Sequence, residues 1–287
     1  MLNAPLLRAM TASEVKQLVG WAADEGWNPG LDDPSTFYAI DPDGFIAVEL
    51  DGEMVGGGAI VRHDSDFGFM GLFIIHPDHR GKGLGRTLWY ARRDRLSSRL
   101  ASSGTIGLDG VEAMCGFYVR GGFRAATRHI RFQLARLAPS SDATFQPVPV
   151  GLVPWEQLAE FDRTCFPSPR DAYLREWIVQ PSSCSFASIE DGTLRGYAIS
   201  RRCRVGWKIG PLFAEDRAVA TRLFRRCWEA AESEPIFLDV PEGNQEGLAM
   251  AEEFGMEPVF NCTRMYRGPS PRLRLERVFG ITTLELG

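Results

Sequence analysis

Long apolar runs are missing from this chain of 287 residues. No stretch approaches the roughly 18 residues that a membrane-spanning helix needs, and the N-terminus lacks the basic, apolar and small-residue regions of a secretion signal. A cytoplasmic protein without a membrane partner is the expectation. Histidine is scarce, at four residues. Its one close pair, His76 and His79, is interrupted by Pro77 and has no second ligand pair nearby, so no metal is expected. The six cysteines include no C-x-x-C pair, which argues against both a disulfide scaffold and a zinc site. Positive charge is not in excess either: 32 Lys and Arg against 37 Asp and Glu leave a net charge of −5, a poor basis for nucleic-acid binding.

What is present is an ordinary globular composition, 44% hydrophobic and 24% charged. The length suits two domains of about 140 residues, each large enough for its own core.

The most informative stretch is Gly71-Leu-Phe-Ile-Ile-His-Pro-Asp-His-Arg-Gly-Lys-Gly-Leu-Gly-Arg-Thr-Leu-Trp89. An apolar run stops at Pro77, glycines 81, 83 and 85 follow, and an amphipathic segment starts near Leu84, which predicts strand, tight loop and helix. Glycines there let several N–H groups converge on one anion at a helix start, and Arg80, Lys82 and Arg86 add positive charge, so a diphosphate fits. The dinucleotide fingerprint fails because its third glycine position is Arg86, and the P-loop fails because Gly81-Lys82 is followed by Gly83 rather than Ser or Thr.

The surviving pattern, Arg80-x-x-Gly83-x-Gly85 preceded by Ile75-His76-Pro77, resembles the acyl-CoA pyrophosphate loop of the GNAT N-acetyltransferase superfamily. The resemblance implies acetyl-CoA as co-substrate, held by the backbone of Phe73, Ile74 and Ile75 and by Arg80, Gly81, Lys82, Gly83, Leu84, Gly85 and Arg86. Phe117-Tyr-Val-Arg-Gly-Gly-Phe123 resembles the family's aromatic helix end, in which a tyrosine at the place of Tyr118 protonates the departing thiolate. A phenol with a pKa of about 10 is suited to that donation if it reaches the sulfur. The asparagine that many members carry seven residues earlier is Val111 here, which puts its pantetheine contact in doubt.

Around this motif the pattern predicts a first helix from the capping box Thr11-x-x-Glu14, and strands over 45–50 and 54–61 joined by the turn Asp51-Gly52. It further predicts a strand over 67–75, a helix from Leu84 whose arginines form a solvated face, a strand over 105–108 parallel to the previous one, a helix over 111–120 and a strand over 123–134. Trp27 and Asn28, on a Gly-Pro loop, and Asp109 are acceptor-site candidates. Asp109, Asp64, Asp66 and His76 are candidates for the base that neutralises an ammonium.

Ser140 to Pro149 reads as a linker, after which a second strand–Asp191-Gly192–strand hairpin and a strand, helix, strand, helix series echo the first half. Pro211 is set against Pro77, Asp239 against Asp109 and Gly255 against Gly122. At the second loop Glu215 and Asp216 replace the glycines and cations, and the place of Tyr118 falls near Ala251, so acetyl-CoA binding there is expected to be lost.

The expectation is an α/β (α+β) protein of two tandem GNAT-type domains, residues 1–137 and 147–287, each a mixed, mostly antiparallel sheet flanked by helices. Leu238-Asp-Val-Pro241, Met265-Tyr266 and the tail Ile281-Thr-Thr-Leu-Glu-Leu-Gly287 resemble a bacterial tandem-domain group of that superfamily. The implied activity is acetyl transfer from acetyl-CoA to a primary amine on a small molecule or peptide, by direct attack in a ternary complex. The alternative is a non-catalytic acyl-CoA sensor or interaction module. Monomer and homodimer are both left open.

Overall fold

The computed structural model describes residues 4–136, 146–232 and 234–287. Residues 140–145 of the expected linker lie outside this set, and its end, Val148–Pro149, is a short strand.

The first half runs β1 (Leu6–Ala9), α1 (Ala12–Asp24), α2 (Asp33–Ile40), β2 (Phe45–Leu50), β3 (Glu53–Arg62), β4 (Phe67–Ile75), α3 (Leu84–Arg99), β5 (Thr105–Gly110), α4 (Glu112–Arg120) and β6 (Arg124–Leu134). The second repeats the series as β7 (Val148–Pro149), α5 (Trp155–Cys165), α6 (Asp171–Trp177), β8 (Ser183–Glu190), β9 (Thr193–Arg202), β10 (Trp207–Ala214), α7 (Arg217–Ala230), β11 (Ile236–Pro241), α8 (Gln245–Glu253) and β12 (Glu257–Arg267), then adds β13 (Val278–Gly280).

Local chemistry starts these elements where expected. Thr11 and Glu14 form a complete capping box at α1, with the Thr11 N–H donating to the Glu14 carboxylate at 2.8 Å. Both Asp-Gly turns place two successive residues at positive φ (Asp51 51°, Gly52 85°; Asp191 50°, Gly192 74°), which matches the twist of the flanking strands.

The sheet does not divide between the halves. Among the described residues one sheet runs β1-β2-β3-β4-β5-β12-β6-β11-β10-β9-β8-β7, with β13 added on β10. The last strand of each half is exchanged: β12 lies antiparallel on β5, β6 lies antiparallel on β11, and the two exchanged strands pair with each other. The order is therefore symmetric about the β12–β6 seam, as a duplicated unit related by a local twofold would be.

Two buried ion pairs repeat across that seam. Arg264 on β12 makes a two-point contact with Asp109 on β5 at 2.7 Å and 2.7 Å, and Arg131 on β6 makes one with Asp239 on β11 at 2.7 Å and 2.8 Å. Each pair joins one half to the other. Helices α1, α2, α5 and α6 also contribute to one shared apolar cluster, in which Phe37 stacks on Trp177 at 6.1 Å. Helices α3 with α4, and α7 with α8, cover two separate clusters, so the halves do not each enclose a private core.

Because a lone charge left inside a protein is costly, Arg264→Met should destabilise the protein by about 3–5 kcal/mol in urea unfolding, and pairing it with Asp109→Leu should recover much of that loss. Burial alone would raise the Asp109 pKa, but Arg264 and His129 outweigh it and hold the carboxyl at about 2 against an ordinary 3.8. A depressed folded-state pKa confers stability above the unfolded value and loses it on acidification. Unfolding monitored by circular dichroism should therefore show stability falling between about pH 4 and pH 2, and Arg264→Met should flatten that fall.

Candidate active site

Strands β4 and β5 pair in parallel only from Phe67↔Thr105 to Phe69↔Gly107. Beyond Phe69 they part, because β4 carries a bulge. Leu72 adopts φ 47°, the register against β3 shifts between Gly57 and Ala59, and the inward-facing set changes from Phe67 and Phe69 to Leu72 and Ile74. Phe73, on the other face, then packs with Trp89 of α3 and Phe117 of α4.

Arg92 secures this bulge. The row Leu84, Leu88, Arg92, Leu96 is buried at i, i+4 spacing, so Arg92 is not part of the solvated arginine face expected for α3. Its Nη2 donates to the carbonyls of Ala59 at 2.6 Å and Gly71 at 2.5 Å, which face each other across β3 and β4 at the edge of the register shift. Burial lowers its pKa to about 10, which still leaves it cationic at neutral pH.

The parted strands open a cleft of about 550 Å³. At its mouth lies the glycine loop. Gly81 and Gly83 have φ 77° and 82°, Gly83 caps α3 without any side-chain acceptor, and the first helical turn holds no acidic residue. The N–H groups at this helix start are therefore open to an anion. Arg80 donates from Nε to the Ile75 carbonyl at 2.9 Å and pairs with Glu25, while Lys82 donates to the Asp78 carbonyl at 2.9 Å. Phe73, Ile74, Ile75, Arg80, Gly81, Leu84, Gly85 and Arg86 border the cleft; Lys82 and Gly83 stand just outside its lining.

Tyr118 borders the same cleft from α4, its ring 5.1 Å from that of Trp89. It is 8% exposed, and burial raises its pKa to about 12. Val111, the residue before α4, contributes an apolar wall.

The acceptor candidates separate. Trp27 lines the cleft, with its carbonyl held by Arg131 at 2.8 Å. Asn28 does not line it. Both ends of the Asn28 amide are used on the Val205 backbone, at 2.9 Å and 3.0 Å, which ties the loop to the β9–β10 connection of the second half. Asp109 borders the cleft, but its carboxylate is committed to Arg264 and lies 3.3 Å from His129, so it is a structural anion and not a base. Asp64 accepts from the N–H groups of Asp66 and Phe67 in the β3–β4 turn, Asp66 is exposed, and His76 packs beside Trp21 and Asp78. None of these three reaches the cleft lining.

Sequence reasoning missed a whole wall. Phe260 and Cys262 of β12, Arg131 of β6, and Leu284 and Glu285 of the tail also border the cleft. They arrive there through the strand exchange, which no short-range pattern encodes.

The corresponding place in the second half is closed. β10 and β11 pair in parallel from Trp207↔Ile236 to Ile209↔Leu238, and beyond that point β13 lies along β10 at Leu212↔Gly280 and Phe213↔Val278. Eight residues, His76–Gly83, separate β4 from α3, but only Glu215 and Asp216 separate β10 from α7. The loop is thus deleted rather than merely substituted. Asp216 caps α7 by accepting from the Val219 N–H at 2.9 Å, which places a fixed carboxylate at the helix start. In the strand pairing Ile209 faces Ser200 as Met70 faces Ile60, so Pro211 takes the place of Leu72 at the bulge and does not correspond to Pro77.

Comparison with known proteins finds a family match in each half. The acetyltransferase (GNAT) family model matches residues 12–123, and an acetyltransferase (GNAT) domain model matches residues 158–280. The holothin acyltransferase of Pseudoalteromonas sp. (strain SANK 73390) is 27% identical over 269 residues, 93% of this chain and 89% of that protein. In structure, a candidate acetyltransferase from Pyrococcus horikoshii superposes with a TM-score of 0.84 at 20% identity, covering 100% of this chain and 97% of that one. A tandem GNAT protein from the clavulanic acid biosynthesis pathway gives a TM-score of 0.66 at 15% identity over 93% of this chain and 100% of its own. The chain belongs to the GNAT acyltransferase superfamily and carries two such domains in tandem.

Proposed function

We propose that residues 1–137 bind acetyl-CoA and transfer its acetyl group to a primary amine of a small molecule or peptide by direct attack in a ternary complex. Residues 147–287 are the duplicated unit whose own donor site is closed. The observation that carries this reading is the convergence of an uncapped, glycine-opened helix start and a buried phenol on one cleft between two parted parallel strands.

The N–H groups at the start of α3 and the guanidinium of Arg80 hold the diphosphate, for which Arg80 exchanges its contact with Glu25. The free edge of β4 at Phe73, Ile74 and Ile75 receives the pantetheine amides as an added strand would. An N–H at the bulge stabilises the developing oxyanion in this reading. Holding donor and amine together makes the attack effectively unimolecular. Tyr118, kept protonated by burial, supplies a proton to the leaving sulfur.

The named activity of the Pseudoalteromonas relative supports acyl transfer. A cytoplasmic setting is supported by six unbridged cysteines. No helix among the described residues is long and apolar enough to cross a membrane, and no metal-binding cluster is found among them.

Gly83→Glu gives the first half a carboxylate like that of Asp216 and imposes φ 82° on a residue with a side chain. Acetyl-CoA affinity by calorimetry should fall at least about tenfold. Unchanged affinity would count against the loop as the diphosphate site.

Tyr118→Phe should leave acetyl-CoA affinity unaltered and reduce kcat roughly 100-fold in a thiol-release assay over an amine panel. With a pKa of about 12, Tyr118 should impose no loss of rate on the alkaline side until near that pH. If the intact protein binds acetyl-CoA but releases no thiol with any amine, a sensor role replaces the enzymatic one.

A further inference from the structure

Three acidic residues border the cleft: Glu25, Asp109 and Glu285. Glu25 is engaged by Arg80, and Asp109 by Arg264. Glu285 differs. Among the described residues no cation pairs with it; its carboxylate accepts only the Thr283 hydroxyl, although the residue is just 3% exposed.

Its placement is tightly determined. The tail is anchored by the Ile281 N–H to the Asp239 carbonyl at 2.9 Å, by Arg170 to the Thr282 hydroxyl at 2.9 Å, and by the His63 ring to the Leu286 carbonyl at 3.0 Å. Between these anchors the backbone presses on β4 at Gly71, where a Cβ would lie 1.6 Å from the Glu285 carbonyl oxygen. Gly71 is the residue whose own carbonyl Arg92 holds at the bulge. Glu285 therefore sits at the fork where β4 and β5 part, with Trp27, Phe260 and Leu284 along the same cleft.

Other groups near enough to feel its charge are Arg131 on β6, Arg201 on β9, Tyr173 on α6 and Cys262 on β12. The two arginines already have carboxylate partners, Asp239 and Asp33.

We propose that Glu285 receives the ammonium of the acceptor and takes its proton, so that the first half holds the donor while the tail of the second half supplies the acceptor subsite. This rests on the acyl-transfer reading above. The acceptor class is a primary amine, cationic at neutral pH, on an aromatic or otherwise apolar body that the tryptophan, phenylalanine and leucine accommodate.

The proton balance closes. The ammonium gives one proton to Glu285, and the freed lone pair forms the C–N bond as the C–S bond breaks. The sulfur leaves with its electron pair and takes the Tyr118 proton. The second nitrogen proton, lost as the amide forms, restores the phenol, and Glu285 releases its own to solvent, one net proton per turnover.

Glu285→Gln keeps the shape and still accepts from Thr283, and a thermal melt checks that it folds. With acetyl-CoA and 2-phenylethylamine, a cationic probe, it should raise the amine KM and lower kcat/KM by roughly 10- to 100-fold, with the acetyl-CoA KM unmoved. With aniline, uncharged at neutral pH and needing no prior deprotonation, kcat/KM should stay within about twofold of the parent. Equal losses on the two amines, or none on either, would overturn the role of Glu285 while leaving acyl transfer intact. Failure of the parent protein with every amine would instead remove the acyl-transfer reading, and this assignment with it.

Discussion

The β12–β6 seam, closed by Arg264–Asp109 on one side and Arg131–Asp239 on the other, is the constraint from which the rest of the molecule follows. Each pair is two-point and almost wholly buried, so neither partner can be lost without leaving a charge in the protein interior. Their sequence separations, 155 and 108 residues, make them contacts between halves rather than within one. Exchange of the last strands converts two potential sheet edges into central positions and leaves only β1 and β7 at the ends of the strand order. It also fixes where β12 and the tail must run.

The two halves share one architecture and differ in what enters the gap between their parted parallel strands. In the first, the gap is left as the cleft, with eight residues of glycine-bearing loop at its mouth. In the second, β13 fills it with backbone hydrogen bonds to β10, and a two-residue connection ends in the carboxylate cap Asp216. A strand laid into such a gap satisfies the same backbone donors and acceptors that an extended ligand would. Closing the second site therefore required no change of fold.

Local chemistry made much of this readable in advance. The capping box, the two Asp-Gly turns, the glycines at positive φ and the aromatic end of α4 each depend on residues within a few positions, so they stand in the sequence as patterns. What could not be read depends on distant partners. Arg92 occupies the buried i, i+4 row of α3, yet an arginine among arginines on a helix carries no mark that its guanidinium will reach the carbonyls of a bulge on β3 and β4. Asn28 looks like a ligand-binding amide until the Val205 backbone, 177 residues away, takes both of its ends. Asp109 lies beside the cleft, but its committed partner is supplied by the exchanged strand. β1 and α2 were also not foreseen: one has only four residues, and the other has no side-chain hydrogen bond at its N-cap.

Retention of the second half has a physical reason in the same seam. Removing it would expose the edge of β5, strip Asp109 of its counter-ion, and take away Phe260, Cys262, Leu284 and Glu285 from the cleft wall. The second half reaches the cleft through these four residues. Its β13 occupies its own groove, and that placement directs the following residues, 281–287, across to β4 of the other half. The segment that fills the gap beside β10 thus carries on to become a wall of the cleft in the first half.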